Sequence, residues 1–104
     1  MEEVRANRID SNQPEIVKQF RDWACSVLII ADLKNCADII VAKHGRTIIC
    51  EIKDGKKPKS ARKLTPGELA FKESWKGCWR LIESEKDVDA VIAELNSTET
   101  IPTR

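Results

Sequence analysis

The sequence predicts one small α/β domain in which a mixed sheet is covered by helices on both faces. Three observations predict it. Two Ile/Val-rich runs, 39–41 and 48–52, flank His44-Gly45 and so read as a β-hairpin with a tight turn. Apolar residues at helical spacing occur before and after that hairpin. A chain of 104 residues with 41% hydrophobic content suits one core rather than two.

Residues 1–9 are polar and charged and read as a flexible tail, so the domain is expected over 10–95, with a second flexible tail over 96–104. Asp10, Ser11 and Asn12 are all good N-caps, and Pro14 is tolerated only in a first turn. A first helix from about Ser11 to Ala24 then buries Ile16, Val17, Phe20, Trp23 and Ala24. Ser26 to Ile30 reads as a short buried strand, and the stretch from Ala31 to Cys36 as a polar connection into the hairpin. If the hairpin turn has two residues, Lys43 faces Arg46 and every pair of numbers summing to 89 lies opposed.

The stretch from Lys53 to Thr65 is a basic loop containing Gly55 and Pro58. Thr65-Pro66 is a helix-start signal, so a second helix is expected from Pro66 to Lys76, with Phe71 and Trp75 on one face and Glu68 and Lys72 as a surface pair. Gly77 ends it. Trp79 to Glu83 suits a fourth strand, and Val88, Val91, Ile92 and Leu95 mark a third helix. Trp23, Trp75 and Trp79 read as core. Three successive strands followed by a helix and a fourth strand make a mixed sheet.

The formal net charge is +1, which excludes a global field drawing the protein to polyanions. Charge is instead segregated. Between Lys53 and Lys63 only Asp54 opposes Lys53, Lys56, Lys57, Lys59, Arg62 and Lys63, whereas between Glu83 and Glu99 only Lys86 opposes six acids. The four cysteines form no Cys-x-x-Cys pair, so neither a zinc site nor a disulfide framework is expected, and the thiols read as reduced. No stretch is apolar enough for a membrane span, and a cytoplasmic protein is expected.

One group of residues stands out from this frame. The predicted register sets Asp38 opposite Glu51, about 5 Å apart at Cβ, where like charges destabilise unless something is bound between them. Strand alternation places Lys53 on the same face. The residues between them are apolar on both faces, as in a strand buried on both sides, where unpaired charge is costly. His44, at the far end of the hairpin, reads as a turn residue.

With an Asp on the second strand and Glu51-Ile52-Lys53 closing the third, the chain resembles the PD-(D/E)XK nuclease superfamily over about Asp10 to Ile92. Within it, the small single-domain members are the nearest likeness: Holliday-junction resolvases, VRR-NUC domains and related phage-encoded nucleases. Ala37 replaces the usual proline before Asp38. The resemblance implies a restriction-endonuclease-like αβββαβ(α) core and an endonuclease that hydrolyses phosphodiester bonds of DNA, with RNA as a further candidate. It also implies selection by structure rather than sequence, a homodimer, and a bacterial or phage-infected host cell.

Its metal would be Mg²⁺ or Mn²⁺, held by Asp38, Glu51 and the backbone carbonyl of Ile52, with Lys53 orienting and deprotonating water or neutralising charge. Resolvase-like members place an acid near the start of the first helix. That place falls at Gln13, with Glu15 two residues on, and at most one of the two joins the site. Lys56, Lys57, Lys59, Arg62 and Lys63 are the candidates for nucleic-acid phosphates. Two other readings stay open: a buried ion-pair network of the same three residues, and a non-catalytic nucleic-acid-binding or regulatory module on the same fold.

Overall fold

The computed structural model describes residues 10–104; the flexible tail expected over 1–9 lies outside them. In chain order the elements are α1 (Gln13–Asp22), β1 (Ser26–Ile29), β2 (Ile39–Lys43), β3 (Arg46–Ile52), a single 3-10 turn at Lys59–Ala61, α2 (Pro66–Ser74), β4 (Trp79–Ile82) and α3 (Glu85–Asn96). The four strands form one mixed sheet in the order β1-β2-β3-β4, antiparallel except for the parallel pair β3 and β4, which the α2 crossover joins. No described helix is long and apolar enough to cross a membrane.

The hairpin turn sets the register of the centre. His44 and Gly45 both hold positive φ, 57° and 75°, as a two-residue type I′ turn requires. Lys43 then pairs with Arg46 and Ile39 with Cys50. Side chains alternate from there. Ile39, Val41, Ile48, Cys50, Ile52 and Ile82 face one way and form the main core with Ile16, Val17 and Phe20 of α1 and Val88, Val91, Ile92 and Leu95 of α3. The opposite alternation gives a smaller cluster of Ala37, Ile49 and Trp79, joined by Ile40, Leu81 and Phe71.

That second face is covered more thinly than expected. α2 has nine residues, none of them buried, and reaches the sheet through Phe71. Glu51 and Asp38 fall on this face by alternation, near the start of α2.

Several sequence expectations are corrected. α1 stops at Asp22 because the chain reverses through Ala24 at φ 65°, so Trp23 leaves the apolar stripe and is 58% exposed. Trp75 is likewise exposed, past the end of α2, and only Trp79 is core. β1 is not a buried strand: it pairs only with β2, and at this sheet edge Leu28 is 60% exposed. Asp10, Ser11 and Asn12 do not cap α1 with their side chains. Ser11 Oγ donates to Asp54 at 3.0 Å and Asn12 Nδ2 donates to the Lys53 carbonyl at 3.1 Å, which docks the start of α1 on the segment after β3.

The cysteines are free, Cys25 and Cys50 buried and Cys36 and Cys78 half-buried.

Residues 97–104, expected as a flexible tail, form no helix or strand yet lie along β4. Trp79 N donates to the Thr103 carbonyl at 2.9 Å, Arg80 Nη2 to that of Pro102 at 2.6 Å, and Ile101 packs on the main core. Arg80 also grips Glu94 of α3 through two bonds of 2.9 and 2.8 Å. The segment covers an otherwise open sheet edge. Deleting residues 97–104 is therefore expected to lower the melting temperature by about 5–10 °C, the equivalent of about 1–2 kcal/mol in a domain this size. Differential scanning calorimetry checks this, and an unshifted midpoint would show that the docked segment contributes nothing.

Candidate active site

The end of the β2-β3 hairpin opposite its turn gathers the charged residues. Asp38 immediately precedes β2, and its backbone N–H donates to the Cys50 carbonyl at 3.0 Å, which extends the ladder by one residue and sets Asp38 beside Glu51. Asp38 Oδ2 accepts the Ile52 N–H at 2.7 Å, so its carboxylate is fixed by the backbone of the facing strand. Glu51 is 4% exposed. Its carboxyl faces that of Asp38, with the Glu68 charge close by, and a hydrogen bond between the Glu51 and Asp38 carboxyls requires that one of them keep a proton.

Electrostatics follow from this crowding. Burial, then the Asp38 hydrogen bond and charge, push the Glu51 carboxyl up to about 10. Burial also raises Asp38, against the lowering effect of the Glu51 hydrogen bond and the Ile52 amide. For Glu68 burial acts upward too, but the Thr65 amide and the Lys53 ammonium outweigh it and hold the carboxyl below its usual range. Lys53 is the mirror case: burial acts to lower it, and Glu68 then Glu51 reverse the sign and hold it charged.

Glu68 is a site residue that the sequence reading assigned to a surface pair with Lys72. Its Oε1 accepts the Thr65 N–H at 2.8 Å, closing a capping box at the start of α2, and also the Lys53 Nζ at 2.9 Å. Lys72 instead lies over the Trp79 ring at 4.7 Å. The Thr-x-x-Glu spacing signalled the cap. Its second contact, to Lys53, is tertiary and left no sequence signal.

The two candidates at the start of α1 lie away from this group. Gln13 is 4% exposed but lines a separate shallow groove with Pro14, Val17 and Ile29, and Glu15 is exposed on the outside of α1. Neither lines the cavity over Asp38. Asp10 does, three residues earlier, because the turn before α1 folds across the segment after β3. Asp10 Oδ1 lies 3.6 Å from Lys57 Nζ, and its charge acts on both Asp38 and Lys53.

These groups open onto a cavity of about 790 Å³. One wall carries Lys57, Lys63 and Thr65, and the other is the 31–37 segment with Asp32, Leu33 and Lys34, most of which the sequence predicts as a polar connection into the hairpin. Of the five expected phosphate-binding residues, only Lys57 and Lys63 line the cavity. Lys56 and Lys59 are exposed outside it, and Arg62 is engaged with Glu83 at 2.9 Å, tying the loop to the end of β4.

Among the described residues, no three His, Cys, Asp or Glu side chains are arranged to hold a metal ion. The donors that do converge, Asp38 and Glu51, are hard oxygens on opposing strands, with a proton between them that a cation would replace. That set suits Mg²⁺ or Mn²⁺, which takes one or two carboxylates and keeps several waters. Ile52, the last residue of β3, offers the adjacent carbonyl. No family model, curated protein or solved structure matches the chain.

The raised Glu51 carboxyl gives a pH dependence of known sign. Below about pH 4.5 it is neutral in both folded and unfolded chains, so its contribution is fully present; as pH rises toward about 10 only the folded chain keeps the proton, and stability falls. Glu68, lowered, acts in the other sense and only at acid pH. In metal-free buffer the melting temperature should therefore decline from pH 5 to pH 9. Glu51→Gln should flatten this slope and melt higher at pH 8, by about 4–8 °C for each kcal/mol relieved. Parallel slopes for the two proteins, followed by circular dichroism, would refute the assignment.

Proposed function

We propose that this chain is a divalent-metal-dependent nuclease of the PD-(D/E)XK type, a phosphodiester hydrolase acting on DNA. The observation that carries the reading is the pairing of half-buried Asp38 with buried Glu51 at the open end of a hairpin, with Lys53 beside them. The αβββαβα order of the described elements is compatible with it. A pair of acids buried only for stability is an expensive choice, since apolar residues of similar volume do as well or better.

When bound, Mg²⁺ or Mn²⁺ would supply charge stabilisation at the phosphoryl oxygens and an activated water. Asp38 and Glu51 would hold it, and the Ile52 carbonyl is the further candidate donor. Lys53, held charged by Glu68, neutralises charge developing on the phosphate rather than taking a proton from water. Glu68 is thus a positioning residue, aiming the Lys53 ammonium from a helix cap. Lys57 and Lys63 contact phosphates flanking the cut, with RNA as the second candidate polymer. A homodimer, which would place two such sites on two strands, belongs to the same reading.

The alternative is a non-catalytic nucleic-acid-binding module, favoured by one observation: the acids and Lys53 already satisfy one another without a metal. One experiment separates the two. Labelled single strands, duplex, flaps and four-way junctions are incubated with the protein in Mg²⁺, Mn²⁺ and EDTA. The nuclease reading expects products in either metal and none in EDTA. Asp38→Ala and Glu51→Ala should both reduce cleavage to background with the fold retained, and Lys53→Ala should lower the rate by about 10²–10³-fold. Salt-sensitive binding without products in any metal would establish the binding module instead.

A further inference from the structure

The two edges of the sheet are finished differently. Along β4, residues 97–104 run beside the strand and take up its outward groups, with Trp79 N–H donating to the Thr103 carbonyl at 2.9 Å. β1 has no such cover among the described residues. Ile30 N–H donates to the Asp38 carbonyl at 2.8 Å, so Leu28 also bonds toward β2, and alternation turns the N–H and C=O of Val27 and Ile29 outward. Of the described hydrogen bonds only one reaches that edge, from Arg21 Nη2 to the Val27 carbonyl at 3.3 Å. The strand also carries none of the devices that keep edges apart. Ser26–Ile29 holds no charge, no proline and no bulge, and Leu28 and Ile29, on opposite faces, are 60% and 50% exposed.

The same residues on a second copy complement this edge. Antiparallel pairing about a two-fold axis through Leu28 sets Val27 opposite the second copy's Ile29, and Ile29 opposite its Val27, so every outward N–H of the two strands finds a carbonyl. Other centres do worse. An axis through Ile29 calls on Ala31, beyond the end of the strand, and one through Val27 calls on Cys25, whose N–H is already donated to the Phe20 carbonyl at 3.1 Å. The strand is neutral, so no like charges meet in the new ladder. Leu28 is then covered by its own counterpart on one face. Ile29, beside the shallow groove of Pro14 and Val17, is covered on the other. Such a contact buries on the order of 1,000 Å² in all, the low end for a specific interface, which suits a dimer that dissociates in the micromolar range.

We propose that β1 is the surface through which two copies of this chain join, edge to edge, into one continuous sheet. The two-fold axis stands perpendicular to that sheet, so both Asp38–Glu51 pairs open on the same face. Two residues along β1 lead from Leu28 to Ile30, the hydrogen-bond partner of Asp38, and one and a half strand spacings lead across from the axis to β2. The two Asp38 positions therefore lie about 20 Å apart and point opposite ways along the strands. The joining surface stands on the open edge alone; that the two sites act on two antiparallel strands of one duplex rests on the nuclease reading above.

The test is sedimentation equilibrium of the full chain in EDTA, without nucleic acid. Wild type should pass from the 11.8 kDa of one chain toward twice that mass as its concentration rises through the micromolar range. Leu28→Lys should stay monomeric at every concentration while still melting cooperatively, because the side chain it replaces is exposed. The register has its own readout. Opposed residues at the axis have Cα atoms about 4.5 Å apart, within disulfide reach, so Leu28→Cys should cross-link two chains under mild oxidant. Leu33→Cys, at an equally exposed position away from the edge, and wild type with its own four cysteines should not. A monomer throughout, a dimer that Leu28→Lys leaves intact, or equal cross-linking of the two cysteine variants would overturn the proposal. Cleavage enters none of these measurements, so a chain that cuts nothing still decides the interface, and a monomer leaves the nuclease reading where it stood.

Discussion

Two carboxyl groups held opposite one another at the end of a hairpin, Glu51 buried and Asp38 half-buried, are the constraint on which the candidate site depends. Neither Asp38 nor Glu51 can leave: Asp38 is bonded to the Ile52 amide, and Glu51 follows Cys50 in a strand that is buried from Ile48 to its end. Their like charges cannot both be present without a cation, so in its absence one of them keeps a proton. Lys53, Glu68 and Asp10 are arranged around that fact. Glu68 holds Lys53 charged, Asp10 holds Lys57 close, and none of these contacts serves the main core on the other face of the sheet.

The fold keeps this arrangement open through economy of cover. α1 and α3 seal one face of the sheet with a continuous apolar core, which secures the domain without help from the other side. The second face can then be sealed in part by a short helix whose only deep contact is Phe71. A longer or more apolar α2 would have filled the cavity over Asp38. The capping box at Thr65 sets where the helix begins, and so it sets both how much of the face stays open and where Glu68 stands.

What could be read in the sequence divides along the range of the interactions. The hairpin register is local: once His44-Gly45 is taken as a two-residue turn, counting outward places Asp38 against Glu51, and alternation adds Lys53. α3 was legible for a similar reason, since Val88, Val91, Ile92 and Leu95 repeat at a helical period. Asp10 was not, because its role comes from a turn that folds across residues some forty positions later through Ser11–Asp54 and Asn12–Lys53. Glu68 was misassigned because a helical Glu four residues before a Lys has a plausible local partner, and a tertiary one took it. Trp23 and β1 failed in a different way. Their apolar character was correctly seen, but burial depends on what lies alongside, and α1 ends before Trp23 while β1 has a neighbour on one side only.

On the proposed reading, the charges around the pair bear on why a cation would fit this site. Asp10, Asp38 and Glu68 are opposed by Lys53 and Lys57, and Glu51 contributes nothing while it holds its proton, so the group is one negative charge in excess. Exchanging the Glu51 proton for a divalent ion adds two positive charges and exposes one negative, which brings the group to neutrality. On that reading, a phosphate arriving then would meet no net repulsion from these acids, with Lys34 and Lys63 at the walls to attract it. Without the ion, the same phosphate would face the one excess negative charge of this inner group. On the proposed reading, metal and substrate would be coupled through one carboxyl proton: the ion displaces the proton from Glu51, and its two positive charges offset the acids that would otherwise repel the phosphate.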